Sequence, residues 1–106
     1  MTIVFEKDYL RELYEEGKTK NKKYRFQPQL IKQYKKTVDV LKNASDTETL
    51  YRFKSLHYEK KSGDLKDCEV VYLNMHYRLL FKTHQKGEEP DTIVICELSD
   101  ISKHYQ

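Results

Sequence analysis

The apolar residues of this chain change period about halfway along it. In the first half they recur at helical spacing: Tyr9, Leu10, Leu13 and Tyr14, then Leu30, Tyr34, Val38 and Leu41. From Leu56 onward they fall into "LHYEKK", "CEVVYLN", "HYRLLFKTH" and "DTIVICELS", four stretches with strand character and short polar joints. A helical stripe cannot be buried as a strand, nor an alternating one as a helix. The fold class is therefore α+β, with the helices packed on one face of an antiparallel sheet. At 106 residues the chain reads as a single domain, 1–106, able to bury one modest core.

Local signals punctuate these segments. "TIVF" packs strand formers together and predicts a first strand over residues 2–6. Gly17 stands where the first helix should stop, and the basic, unpatterned residues 18–27 read as a loop. Pro28 suits the first turn of a helix, which its stripe extends to residue 43. Ser45 and Glu48 have capping-box spacing, predicting a short helix with Leu50 and Phe53 inward. A hairpin is expected around Asn74 and Met75, and "QKGEEPD" is a polar link to the last strand.

One strand has an unusual composition. In "YRLLFKTH", Tyr77, Leu79 and Phe81 share one face, while Arg78, Leu80, Lys82 and His84 share the other. A purely structural strand seldom places arginine, lysine and histidine in a row, although an exposed one can. Charge is uneven elsewhere too. The net charge is only +3, yet Lys18 to Lys36 holds eight Lys or Arg residues and no acid. The preceding helical segment carries Glu6, Asp8, Glu12, Glu15 and Glu16. Two readings of the basic run stand: a surface for a polyanion or an acidic protein, or a solvated loop.

Several chemistries find no support. Cys68 and Cys96 make no metal-ligand spacing and read as a reduced pair, with Cys96 buried. Glycine-rich phosphate loops, nucleophile elbows and calcium loops are absent from the sequence, so no metal or other cofactor is expected. No signal peptide or membrane-length apolar segment is visible, and a cytoplasmic protein without a membrane partner is expected.

What remains suits metal-free RNA cleavage. The 2′-hydroxyl attacks the neighbouring phosphate, and the transition state gains negative charge. Such a site needs a base, an acid and cations aimed at the phosphate oxygens. Histidine fills either proton role near neutral pH, and arginine grips phosphate with a planar fork. His57 is expected to open the strand that carries Lys60 and Lys61. Arg78 and Lys82 lie on one strand face, and Lys103, His104 and Tyr105 are expected to follow the last strand. The structural alternatives are plain: His76 and His84 as surface residues, His57 as a structural histidine, and Tyr72 and Tyr77 as half-buried sheet residues.

The order of these pieces resembles the HigB branch of the RelE/ParE toxin superfamily, the toxins of type II toxin–antitoxin modules. "YEEGKTK", a basic helix, "LHYEKKSGD", "HYRLLFKT" and a terminal "KHYQ" carry the resemblance over nearly the whole chain. It implies a RelE-like fold, two to three N-terminal helices on a twisted antiparallel sheet of four to five strands. The implied activity is ribosome-dependent mRNA cleavage, restrained by a HigA-like helix-turn-helix antitoxin, with contacts to the 16S and 23S ribosomal RNA. His57 matches the family's Leu-His histidine and Arg78 its aromatic-Arg-apolar arginine. His104 stands for the histidine of a C-terminal Asp-Tyr-His, although here the order is Lys103-His104-Tyr105. Tyr105 joins the implied catalytic set, and Lys60, Lys61, Lys82 and Lys103 are the implied RNA contacts. Two rivals stand beside it: a ParE-like toxin that inhibits DNA gyrase, and a basic RNA- or protein-binding module without catalysis.

Overall fold

The computed structural model describes residues 1–61 and 68–103. Gly63 and Asp64, which close the stretch "LHYEKKSGD", and His104 and Tyr105 lie outside the described residues. Strand β1 (Thr2–Phe5) leads into helix α1 (Asp8–Glu16), helix α2 (Pro28–Asn43) and a single turn, α3 (Thr47–Leu50). Strands β2 (Glu59–Lys60), β3 (Glu69–Tyr72), β4 (Tyr77–Lys86) and β5 (Ile93–Lys103) follow. They form one five-stranded sheet in the order β1-β5-β4-β3-β2. Four strands pair antiparallel, as the sequence suggests. β1, however, adds to β5 in parallel, with Thr2 opposite Ile95, so the sheet is mixed. The chain can do this because both helices lie between β1 and the rest of the sheet, long enough to carry it back to the same end.

Helix boundaries follow local chemistry. Gly17 takes a left-handed conformation (φ 75°) and its N–H donates to the Leu13 carbonyl, stopping α1. Pro28 opens α2, whose stripe of Leu30, Tyr34, Val38 and Leu41 is buried. The Tyr34 hydroxyl donates to the Leu10 carbonyl at 2.7 Å, tying α2 to α1 inside the core. The cap of α3 differs from expectation. Asp46, not Ser45, accepts from the Thr49 N–H at 3.0 Å, because α3 begins one residue later. Leu50 is buried as expected, but Phe53 is 45% exposed, since the helix ends before its face repeats.

The core lies between the helices and one sheet face, where Val71, Leu73, Leu79, Phe81, Cys96 and Leu98 meet the α1 and α2 stripes. Leu79 and Phe81 are fully enclosed and Tyr77 is partly buried against them, so the other face of β4 points away from the helices. A bulge in β5 keeps that division. Phe81 faces Leu98 but Leu80 faces Asp100, so Ser99 is an extra residue and burial shifts from Cys96 and Leu98 to Ile101.

Candidate active site

The face of the sheet away from the helices carries a row of three side chains. Tyr72 on β3 is directly opposite Arg78 on β4. β2 pairs Glu59 with Val70, and continuing that register two residues brings His57 level with Tyr72. The rings of His57 and Tyr72 lie 5.2 Å apart between centroids. The Arg78 guanidinium carbon sits 4.6 Å from the Tyr72 centroid, a cation–π contact. Tyr72 thus forms the middle of a row, with His57 toward β2 and Arg78 toward β4.

Each member is held by its own local geometry. Arg78 Nη1 donates to the Asn74 carbonyl at 2.7 Å and to the Tyr77 carbonyl at 3.1 Å. Asn74 is itself fixed, since its Oδ1 accepts from the His76 and Tyr77 N–H groups in the β3–β4 turn. One edge of the guanidinium is therefore clamped. Its Nε and Nη2 donors have no partner among the described residues and remain open to a phosphate.

His57 does not open a strand, which corrects the sequence expectation. The chain makes a 3₁₀ turn over Lys54–Leu56, and His57 ends it in the left-handed region (φ 46°, ψ 47°). Its N–H donates to the Lys54 carbonyl at 3.1 Å. That backbone is unfavourable for a residue with a Cβ, and such strain concentrates at functional positions. The turn leaves His57 exposed while the flanking Leu56 and Tyr58 are buried. The imidazole is thereby projected outward from two anchors.

The candidate lysines separate. Lys82 shares the face of Arg78 and stands opposite Glu97. Lys61 is on the same side by alternation, but its Nζ is paired with Glu59 at 2.6 Å. Lys60 faces Glu69, and Lys103 faces Tyr77, so both belong to the helix-side parity. Lys103 is also the last residue of β5 rather than a residue after it. His76 and His84 are exposed. Burial pushes the Cys68 thiol above its ordinary range despite the nearby Lys82 charge, which leaves it a poor nucleophile. Among the described residues, no group of three or more His, Cys, Asp or Glu could hold a metal.

Sequence reasoning missed Tyr72 as part of the site. Strand character marks it only as a half-buried sheet residue; the register shows what stands on either side of it. The hairpin was the signal, but pairing Tyr72 with Arg78 takes a three-residue turn, 74–76, centred on Met75; a two-residue turn at Asn74 and Met75 would set Tyr72 opposite Tyr77.

The whole chain superposes on a solved structure, a YoeB/ParE toxin from Agrobacterium tumefaciens. The TM-score is 0.56 over 99% of this chain and 100% of that one, at 15% sequence identity. The chain has the fold of that toxin. No family model and no curated protein matches the sequence. In this toxin fold the helices cover one sheet face, and His57, Tyr72 and Arg78 occupy the other.

Proposed function

We propose that this chain is the toxin of a type II toxin–antitoxin module, of the HigB branch, and that it cleaves mRNA on the ribosome without a metal. The observation that carries the proposal is the row His57–Tyr72–Arg78, with a proton-transfer group and an anchored cation on either side of one aromatic ring. In the reaction the 2′-hydroxyl loses its proton as it attacks phosphorus, and the leaving 5′ oxygen gains one. His57 fills one of these two roles, and His104 or Tyr105 fills the other. The open donors of Arg78 bind the phosphate oxygens as charge builds on them. Tyr72 holds the guanidinium by its cation–π contact and offers ring surface to an unpaired base. Lys82 adds a salt-sensitive contact to the RNA backbone. A HigA-like antitoxin and the ribosomal RNA complete the set of partners.

The test is induction of the protein in cells, with primer extension on ribosome-bound transcripts. New ends inside coding regions are expected. Arg78→Lys keeps the charge but loses the fork, and should slow cleavage roughly a hundredfold, or about 3 kcal/mol, at unchanged melting temperature. Intact transcripts during growth arrest would reject the nuclease, and inhibited supercoiling in the same cells would favour a gyrase toxin instead.

A further inference from the structure

The β3–β4 turn does more than reverse the chain. Its ends are anchored by the buried Leu73 and the half-buried Tyr77. Met75, however, is 73% exposed and His76 is exposed, so core packing does not hold the tip. The Asn74 side chain holds it instead. Its Oδ1 accepts from the His76 N–H at 2.8 Å and from the Tyr77 N–H at 2.9 Å. The Tyr77 carbonyl in turn accepts from the Leu73 and Asn74 N–H groups at 3.1 and 3.3 Å. A turn closed by its own side chain has the peptide groups within it fixed in orientation.

Two of those peptide groups form the socket of Arg78. Nη1 donates to the Asn74 carbonyl at 2.7 Å and to the Tyr77 carbonyl at 3.1 Å, and the Tyr72 ring lies 4.6 Å from the guanidinium carbon. The ring contact sets where the guanidinium lies, and the two carbonyls set which of its edges faces inward. With Nη1 spent on the turn, the side-by-side Nε and Nη2 donors form the outward edge, the pair that grips a phosphate with two prongs. The shorter of the two clamping bonds goes to Asn74 itself, so the residue that closes the turn also supplies the main clamp. We propose that Asn74 is a positioning residue for the candidate site, its side chain holding the carbonyls that clamp Arg78 and so turning Nε and Nη2 toward the scissile phosphate. This role rests on Arg78 being the phosphate-binding group of the proposed nuclease, and Asn74 itself touches no RNA.

Cleavage of mRNA on ribosomes by the full chain tests it. An unclamped Arg78 keeps its charge and its Tyr72 contact, so Asn74→Ala should lower kcat roughly tenfold and leave KM within about twofold. Its melting temperature should stay within about 5 °C of the wild type. Asn74→Asp keeps the acceptor oxygen and should restore kcat to within about threefold of the wild type, while its added charge acts on RNA binding and is read in KM. Asn74→Ser, whose shorter hydroxyl closes the turn more weakly, should fall between the two and replaces the alanine variant if that one does not fold. In an Arg78→Ala background Asn74→Ala should slow cleavage no further, because no guanidinium remains to be placed. A wild-type kcat for Asn74→Ala, no rescue by Asn74→Asp, or the same loss with Arg78 already removed would each overturn the proposal. Nitrogen NMR of the Arg78 side chain reads the clamp without any cleavage. Nη1 and Nη2 should give separate signals in the wild type and one averaged signal in Asn74→Ala. If the wild type cleaves nothing while these signals behave so, the nuclease reading fails and the clamp by Asn74 stands. Averaged signals in the wild type would overturn the clamp whatever the cleavage result.

Discussion

Strands β3 and β4 carry two polar clusters, one on each face of the sheet, and they are built in opposite ways. On the helix side, Glu69 is only 2% exposed, yet it is fully engaged. Its Oε1 accepts from the Tyr58 hydroxyl and its Oε2 from the Thr83 hydroxyl at 2.6 Å. On the other face, Arg78 is clamped along one edge only, and the His57 ring is exposed. A buried polar group is tolerated only when its hydrogen bonds are complete. A group meant for an outside partner must keep some of its hydrogen-bonding capacity unspent. Completeness on one side is what a structural role requires, and incompleteness on the other makes that face the candidate site.

The largest effect expected from this contrast is on the open face. Asn tolerates the left-handed backbone of His57, so His57→Asn removes the proton-transfer group and little else. Cleavage should fall by roughly a hundredfold to ten-thousandfold, the usual contribution of a positioned acid or base. The urea midpoint should hardly move. Retained cleavage in this variant would remove His57 from the chemistry and reduce its strain to a folding detail.

The closed face should respond in the reverse sense. Glu69→Ala leaves two hydroxyls unpaired in the core and should cost about 3 kcal/mol of stability. For a domain of this size that is a fall of roughly 10–20 °C in melting temperature. Cleavage per folded molecule, measured well below the transition, should stay near wild type. If Glu69→Ala abolishes cleavage at an unchanged melting temperature, the two faces are not separate in role.

The smallest expected effect is the response of the closed face to alkali. Burial pushes the Cys96 thiol up from its ordinary value of 9.0 to about 12, and burial also raises the Tyr9 and Tyr34 hydroxyls. An unfolded chain releases these protons at their ordinary pH and the folded one does not. The stability they contribute is complete below pH 9 and is lost as pH rises toward 12. Urea melts should show about 2 kcal/mol less stability at pH 10 than at pH 8. Arg78→Lys, on the open face, should reproduce the wild-type profile. A flat profile would mean that water reaches Cys96 and that the helix side is less closed than its packing implies.

Much of this contrast is legible in the sequence, at the level of which face each side chain takes. The alternation in "YRLLFKTH" separates Leu79 and Phe81 from Arg78 and Lys82, and the core divides along that line. The burial spacing Cys96, Leu98, Ile101 also breaks its period once, which is the trace of the Ser99 bulge. Other errors were local competitions. Asp46 outcompetes Ser45 as the α3 cap by one position, and the shortness of α3 leaves Phe53 outside the core. The reading of His57 as a strand residue failed for a similar reason, since its left-handed backbone is set by the 3₁₀ turn before it.

The sequence alone determined what is local and periodic: the helix spans, the stop at Gly17, the start at Pro28 and the face on which Arg78 lies. These follow from burial of one stripe or one side, which a window of a few residues encodes. Only the tertiary structure decided what joins distant segments. β1 pairs in parallel with a strand some ninety residues away, and Thr2 meets Ile95 with no signal in either segment naming the other. Lys60 and Lys103 look like Lys82 as basic residues near strands, yet cross-strand register puts both on the parity opposite to the face that Lys82 shares with Arg78. Tyr72 gains its place between His57 and Arg78 in the same way. Register across a sheet depends on the turns and packing that bring strands together, and a one-residue slip reverses every side chain's face.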